Sequence, residues 1–250
     1  MRSLLSWRGD CAVLCAVVVG LVLVTSPASA QRRETAAERC SWEGWLPPAA
    51  GRARVRDASA LDSAQETALR FELRSGSKAA REQAALRLGA GRQPTTIDAL
   101  IALTRDREPQ VVDAAVRSLG RIGDRRAGTV LVPLLSSGDA HVRQAAAWAL
   151  GQLEDPAAAS ALAAVTRDAN KHVRTEAVWA LGLVGGSVAV PRLVELTRDA
   201  QSHVRLAAVC SLAAANGADP TVRSAVAALH ADTSAAVRDA AAWALERLSR

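Results

Sequence analysis

The stretch His141-Val142-Arg143-Gln144-Ala145-Ala146-Ala147-Trp148-Ala149-Leu150-Gly151 returns, with variations, 31 residues later from His172 and again 31 residues later from His203. A leading apolar position recurs at Ala80, Val111, Val142, Val173, Val204 and Val237. A closing leucine recurs at Leu88, Leu119, Leu150, Leu181, Leu212 and Leu245, and both series step by 31 four times and then by 33. A fixed period of this size marks an array in which each unit buries its apolar face only against its neighbours. Within the unit, apolar residues fall at offsets 0, 3, 4, 7 and 8 from the leading position, the spacing of one helical stripe. A second segment recurs upstream, marked by Leu69, Leu100, Leu131, Leu162, Leu193 and Val226. Each repeat is therefore two helices, called A and B here. The reading is an all-α solenoid of about six antiparallel helix pairs occupying residues 61–250.

Composition supports helices packed closely on one another. Half the residues are hydrophobic, yet there is one Phe, one Met and no Tyr, so the core is built from Ala, Leu and Val. Such small side chains at the middle offsets of the B segment let axes approach at the short end of the usual 8–10 Å range. Gly89, Gly120, Gly151 and Gly182 follow closing leucines and are expected to be left-handed helix caps. Asp155-Pro156 and Asp219-Pro220 place a capping acid before a first-turn proline. Pro133 lies inside its A segment, where a kink is expected.

Residues 1–30 read as a secretory signal peptide. Arg2 and Arg8 form a basic start, Ala12 to Val24 an apolar run, and Ala28-Ser29-Ala30 a small-residue cleavage site. The alternative is a retained anchor, although a spanning helix needs roughly 20 apolar residues. The expected location is outside the cytoplasm, periplasmic or secreted, with no stable membrane span after cleavage. Export argues against a nucleic-acid partner despite the formal charge of +6. Residues 31–60 carry no helical period and read as a linker or an N-terminal cap that covers the end of the first repeat. Cleavage leaves Cys40 and Cys210, either a disulfide or, on the simpler reading, a semi-buried thiol and a loose one.

The run Val142 to Gly151, with Ile122-Gly123-Asp124 after the preceding copy, resembles the short HEAT-like repeats first named in phycobilin lyases. The resemblance covers nearly all of residues 61–250 and implies a right-handed superhelical solenoid whose B helices line the concave face. That family includes lyase subunits, a di-iron deoxyhypusine hydroxylase and many scaffolds, so the resemblance speaks to fold more than to function. The hydroxylase holds iron with His-Glu dipeptides. Here His141, His172, His203 and His230 are followed by Val, Val, Val and Ala. Equivalent histidines on adjacent repeats should stand roughly 10 Å apart, too far for one ion, and no metal or cofactor ligands are expected. No catalytic residues stand out either.

Two ladders remain. Arg81, Arg143, Arg174, Arg205 and Arg238 follow the leading position, broken at Val112, and Asp106, Asp168, Asp199 and Asp232 precede it by five, with Asp139 displaced. In proteins that this chain resembles, such pairs bridge successive repeats; the alternative is a row of guanidinium groups for an acidic partner. Trp148, Trp179 and Trp243 share offset 6 of the B helix, and Cys210 takes that offset in the missing copy. At 100° per residue this offset points about 130° away from the apolar stripe. The rings either lie against the neighbouring B helix or form anchors on the concave face. The functional reading is a non-catalytic protein- or peptide-binding scaffold of the cell envelope. Its contact set is Trp148, Trp179 and Trp243 with Arg143, Arg174, Arg205 and Arg238. The alternatives are a lyase or hydroxylase subunit and a purely structural spacer; the oligomeric state is left open.

Overall fold

The computed structural model describes Cys40 and residues 62–90, 94–214 and 219–249. The expected signal segment and nearly all of the expected linker or cap lie outside the described residues. Twelve α-helices and no strand are found among the described residues. The A helices are α1 (Ser63–Ser75), α3 (Ile97–Leu103), α5 (Gly128–Leu134), α7 (Ala159–Val165), α9 (Ala189–Leu196) and α11 (Pro220–Ala227). The B helices are α2 (Lys78–Ala90), α4 (Pro109–Ile122), α6 (Ala140–Leu153), α8 (Lys171–Val184), α10 (Ser202–Ala214) and α12 (Ala235–Leu248). No described helix is long and apolar enough to cross a membrane.

Side-chain size accounts for the asymmetry between the two helix layers. The B helices pack extensively along one another from α2 to α12, whereas successive A helices barely touch. A layer that packs tightly beside a layer that splays puts the tight one inside the curve, so the B helices form the concave surface. The shared core runs between the layers, with Leu88, Leu119, Leu150, Leu181 and Leu212 each almost wholly buried. Leu100, Leu131, Leu162 and Leu193 face them from the A side and are buried to the same degree.

The glycines after the closing leucines are not helix caps. Gly89, Gly120, Gly151 and Gly182 lie inside α2, α4, α6 and α8, which run on for one or two residues beyond them. Their role is close approach. A methyl group on Gly151 would stand 2.9 Å from both Cα and Cβ of Ala180 in the next B helix, and one on Gly120 would stand 2.9 Å from Cα of Ala149. Ser118 and Ser211 fill the same notch against Gly89 and Gly182. There the Ser118 hydroxyl donates to the Ala85 carbonyl at 2.8 Å, and the Ser211 hydroxyl to the Val178 carbonyl at 3.4 Å. The left-handed caps come later, at Gly123 (φ 74°) and Glu154 (φ 47°). Glu154 holds a conformation that favours glycine, at a cost of about 1 kcal/mol.

The A helices are shorter than their apolar period suggests. Asp124 and Asp155 each cap a one-turn 3₁₀ segment, Arg125–Ala127 and Pro156–Ala158, that leads into the α-helix proper. Asp219 caps α11 directly, with Pro220 in the first turn. The far end closes on a buried threonine whose hydroxyl donates back into the last turn: Thr104 to Ile101, Thr166 to Ala163 and Thr197 to Val194, at 2.7–2.8 Å. Pro133 is the penultimate residue of α5, so it ends that helix where a kink was expected. Its missing N–H falls in the last turn, where only one ladder bond is lost.

Gly151→Ala is expected to destabilise the fold by about 1–3 kcal/mol through overpacking against Ala180. That outweighs the roughly 1 kcal/mol a helical alanine normally gains over glycine. Gly138→Ala, with nothing within 4 Å of the added carbon, is the control and should be near neutral. Thermal melts of the two variants decide the point.

Candidate functional site

The B-helix positions at offsets −1, 2, 6 and 10 fall between about 200° and 280° on the helical wheel, opposite the apolar stripe. They make one continuous band along the concave surface. In α4 this band holds Gln110, Asp113, Arg117 and Arg121; in α6, His141, Gln144, Trp148 and Gln152. In α8 it holds His172, Thr175, Trp179 and Leu183; in α10, His203, Leu206, Cys210 and Ala214; in α12, Ala236, Asp239, Trp243 and Arg247.

The tryptophans do not form an exposed row. Trp148 is 5% exposed and Trp179 8%. The six-membered ring of Trp148 lies over Gly120 of the preceding B helix, where an added carbon would meet Cζ3 at 2.7 Å. Trp148 thus leans back on the preceding repeat and covers the notch that Gly120 leaves. Trp243, in the last repeat, is only half-buried, with the Arg247 guanidinium 5.5 Å above its ring. In the third place of the series, Cys210 is 2% exposed and is disulfide-bonded to Cys40, 170 residues away. The pair of separate thiols is thereby corrected to a covalent cross-link. The signal was present in the sequence: two cysteines outside the signal-like first thirty residues, one of them in a position that is tryptophan elsewhere.

The arginine ladder is structural in its central members. Arg143 donates from Nε and Nη2 to both carboxylate oxygens of Asp168 at 2.7 and 3.1 Å. Arg81 does the same to Asp106 at 2.7 and 3.0 Å, and Arg205 to Asp232 at 2.7 Å from each nitrogen. Arg174 reaches Asp199 at 3.6 Å. Each arginine also donates through Nη1 into its own A–B turn: Arg143 to the Ser137 carbonyl, Arg174 to that of Asp168, Arg205 to that of Asp199, at 2.8–2.9 Å. The acids are used twice as well, because Asp168 accepts from the Asn170 amide and Asp232 from the Ser234 amide. A relay of charge-assisted hydrogen bonds thus runs along one edge of the stack. It lapses once, between repeats 2 and 3, where Val112 stands in the arginine position and Ser137 in the aspartate position. Asp139 is no displaced bridge; it caps α6 by accepting from the His141 and Val142 amides. As a row of free guanidinium groups, Arg143, Arg174 and Arg205 do not stand. Arg238 does: it is exposed, anchored at 2.6 Å to the Asp232 carbonyl, and no described repeat follows to supply its carboxylate.

Toward the N-terminal repeats the band becomes polar. A pocket of about 200 Å³ is lined by Glu82, Pro109, Gln110, Asp113, Arg117, Asp139 and His141. One Asp113 oxygen accepts from Arg117 at 2.8 Å, and the other is buried with no hydrogen-bond partner among the described residues. Glu176 meets the Gln144 amide at 3.5 Å; burial pushes its carboxyl up to about 7, against the opposing pull of Gln144 and Arg117. The rings of His172 and His203 stack with centroids 6.3 Å apart, closer than the repeat spacing because the side chains lean together. Burial, then the charges of Lys171, His172 and Arg174, holds the His203 ring below its ordinary value. Among the described residues no group of three His, Cys, Asp or Glu side chains could hold a metal ion.

A family model of HEAT repeats matches this chain over residues 67–138 and 128–213. No curated protein matches it significantly. Among solved structures, the complex of CpcE and CpcF of phycocyanin lyase from Nostoc sp. PCC7120 is similar at 26% identity with a TM-score of 0.57, covering 74% of this chain and 77% of that one. A designed armadillo repeat protein in complex with the peptide (KR)4 is similar at 22% identity and TM-score 0.57, covering 72% and 98%. A HEAT-like repeats protein from the archaeon Thermococcus onnurineus NA1 is similar at 17% identity and TM-score 0.51, covering 73% and 80%. The last two speak for the fold alone.

Two pH effects follow from the site. Arg143 holds the Asp168 carboxyl below its ordinary value. The bridge therefore contributes fully above about pH 4 and is lost as pH falls through the folded value. Asp168→Asn should cost about 1.5–3 kcal/mol at pH 7, with the deficit against wild type shrinking in denaturant melts at acid pH. Glu176 has the opposite sign. Its folded value lies above its unfolded one, so ionisation penalises the fold progressively from about pH 4 to about pH 7. Glu176→Gln should raise stability at pH 8 and leave it unchanged at pH 4.

Proposed function

The chain belongs to the HEAT-repeat family, and from that premise we propose that it is a non-catalytic scaffold of the cell envelope that holds another protein or peptide on its B-helix face. The observation that carries this reading is the band itself. It is a continuous concave surface, stiffened by the aspartate–arginine relay, that passes from carboxylates in the first repeats to aromatic and basic side chains in the last. A preformed surface of this kind loses little conformational entropy on binding.

The contact set contracts in the light of the geometry. Trp243, with Arg247 above it, is the available aromatic–cationic pair, and the exposed Arg238 lies five residues before it on α12. Aromatic and arginine side chains grouped in this way are the usual high-energy contacts of an interface. Trp148 and Trp179 shape the surface from beneath, and Arg143, Arg174 and Arg205 hold its curvature. Export to the periplasm or beyond rests on the signal-like first thirty residues, and the disulfide is in keeping with an oxidising compartment. A second reading, a non-catalytic half of a two-chain lyase-type assembly, is favoured by the likeness to the CpcE–CpcF complex.

Trp243→Ala, with Arg238→Ala as a companion, is expected to lower partner capture from envelope extracts by about tenfold or more, in keeping with a contact worth at least about 1.4 kcal/mol. Far-ultraviolet circular dichroism should be unchanged. An unaltered set of captured proteins would sink the scaffold reading at this cluster. Capture of a second helical-repeat chain as the dominant partner would select the lyase-type assembly.

A further inference from the structure

The Cys40–Cys210 bond has a consequence for the band it enters. Cys210 sits in the fifth B helix, on the concave surface, and Cys40 packs half-buried against the core beside it. The next described residue, Asp62, caps α1 in the first repeat. The 21 residues between them must therefore connect repeat 5 to repeat 1, against the order of the array. Four repeat spacings amount to about 32–40 Å, while a chain of this length reaches at most about 75 Å. It is long enough to follow the surface and starts on the concave side.

Its chemistry is ordered to match. Next to Cys40 come Trp42, Trp45, Leu46, Pro47 and Pro48; nearer Asp62 come Arg52, Arg54 and Arg56. The band is ordered the same way in space. Beside Cys210 lie Leu206 and Trp179, and at the far end Glu82, Asp113 and Asp139 face a shallow pocket that holds Arg117 as its one cation. Three carboxylates against one guanidinium, with an Asp113 oxygen left without a partner among the described residues, is a surface short of positive charge.

We propose that the B-helix band of repeats 1–5 is a docking surface for this chain's own residues 41–61, pinned at Cys210 and running antiparallel to the repeats, with the Arg52–Arg56 tract against Glu82, Asp113 and Asp139. The covalent anchor raises the effective concentration of the segment at the band to a level that weak contacts suffice to exploit. An external partner then meets the end of the array that the segment does not cross, around Trp243. The proposal goes beyond the scaffold reading and stands whether or not any partner is found.

The scarcity of lysine gives a clean test. Lys78 and Lys171 are the only lysines in the sequence, so Arg54→Lys places one new amine in the tract without changing its charge. The full-length oxidised protein is treated with a zero-length carbodiimide, and the monomer band is digested and mapped by mass spectrometry. The expected product is an amide between position 54 and Glu82, Asp113 or Asp139. Its yield should fall severalfold when Cys40→Ser is added, with helicity by circular dichroism as the folding control. Links confined to carboxylates of the outer A helices, such as Glu72 or Glu195, or no intramolecular link from position 54, would overturn the proposal. A yield indifferent to the loss of Cys40 would remove the anchor from it.

Discussion

Everything in this structure depends on how closely one B helix lies on the next. The notch formed by Gly89, Gly120, Gly151 and Gly182, filled from the following repeat by Ser118, Ala149, Ala180 and Ser211, brings backbones near enough that a single added carbon collides. Dispersion between closely packed atoms falls steeply with distance, so the notch sets both the strength of the stack and its curvature. The A helices, with no such series of notches, splay. The concave surface is thus a result of small side chains in one helix layer. Large side chains of the same layer must fit around these notches, as Trp148 does by lying over Gly120 of the preceding repeat.

On that close-packed layer the aspartate–arginine relay fixes the angle between repeats. Each bidentate pair joins the start of one B helix to the A–B turn of the next repeat, and the same aspartate orders the turn by accepting a backbone amide. The single lapse is informative. Val112 and Ser137 are the two ends of one bridge, and both are replaced together, leaving neither a buried guanidinium nor a buried carboxylate without its counter-charge. Loss of one partner alone would be strongly unfavourable at so enclosed a site. The ladder is therefore a set of pairs, and its arginines answer to aspartates of this chain before any partner.

The repeat, the two-helix unit and the core leucines were legible from the sequence because they depend on periodicity, which one dimension carries in full. The meaning of Gly151 was not. A glycine after a closing leucine reads the same whether it ends the helix or lets another helix approach, and only the position of Ala180 distinguishes the two. The place of Trp148 was left between two readings for a related reason. A helical wheel gives its angle to the core of its own repeat and is silent about the neighbour that covers it. The arginine–aspartate spacing was legible as a bridge in outline, but that Arg238 is exposed while Arg143 and Arg205 are paired follows only from the described neighbours of each. Glu176 carried no signal at all, since its raised value comes from burial that no local pattern expresses.

The disulfide changes what the band can be. A solenoid surface that is open along its length is a generic groove, whereas one whose fifth repeat is covalently joined to a segment from before the first repeat has its own chain closed over 170 residues. Closing a loop that long removes conformational freedom from the unfolded chain, by a loop-entropy account worth about 5 kcal/mol, although strain and residual structure make the realised gain smaller. That alone would justify a cross-link anywhere between the two ends. Stability does not explain its position, because Cys210 replaces a tryptophan on the concave band, in the fifth of the six B helices. A cross-link placed for stability alone has no need to enter the surface that a repeat protein uses for recognition. One that serves to hold a segment of the chain on that surface has to.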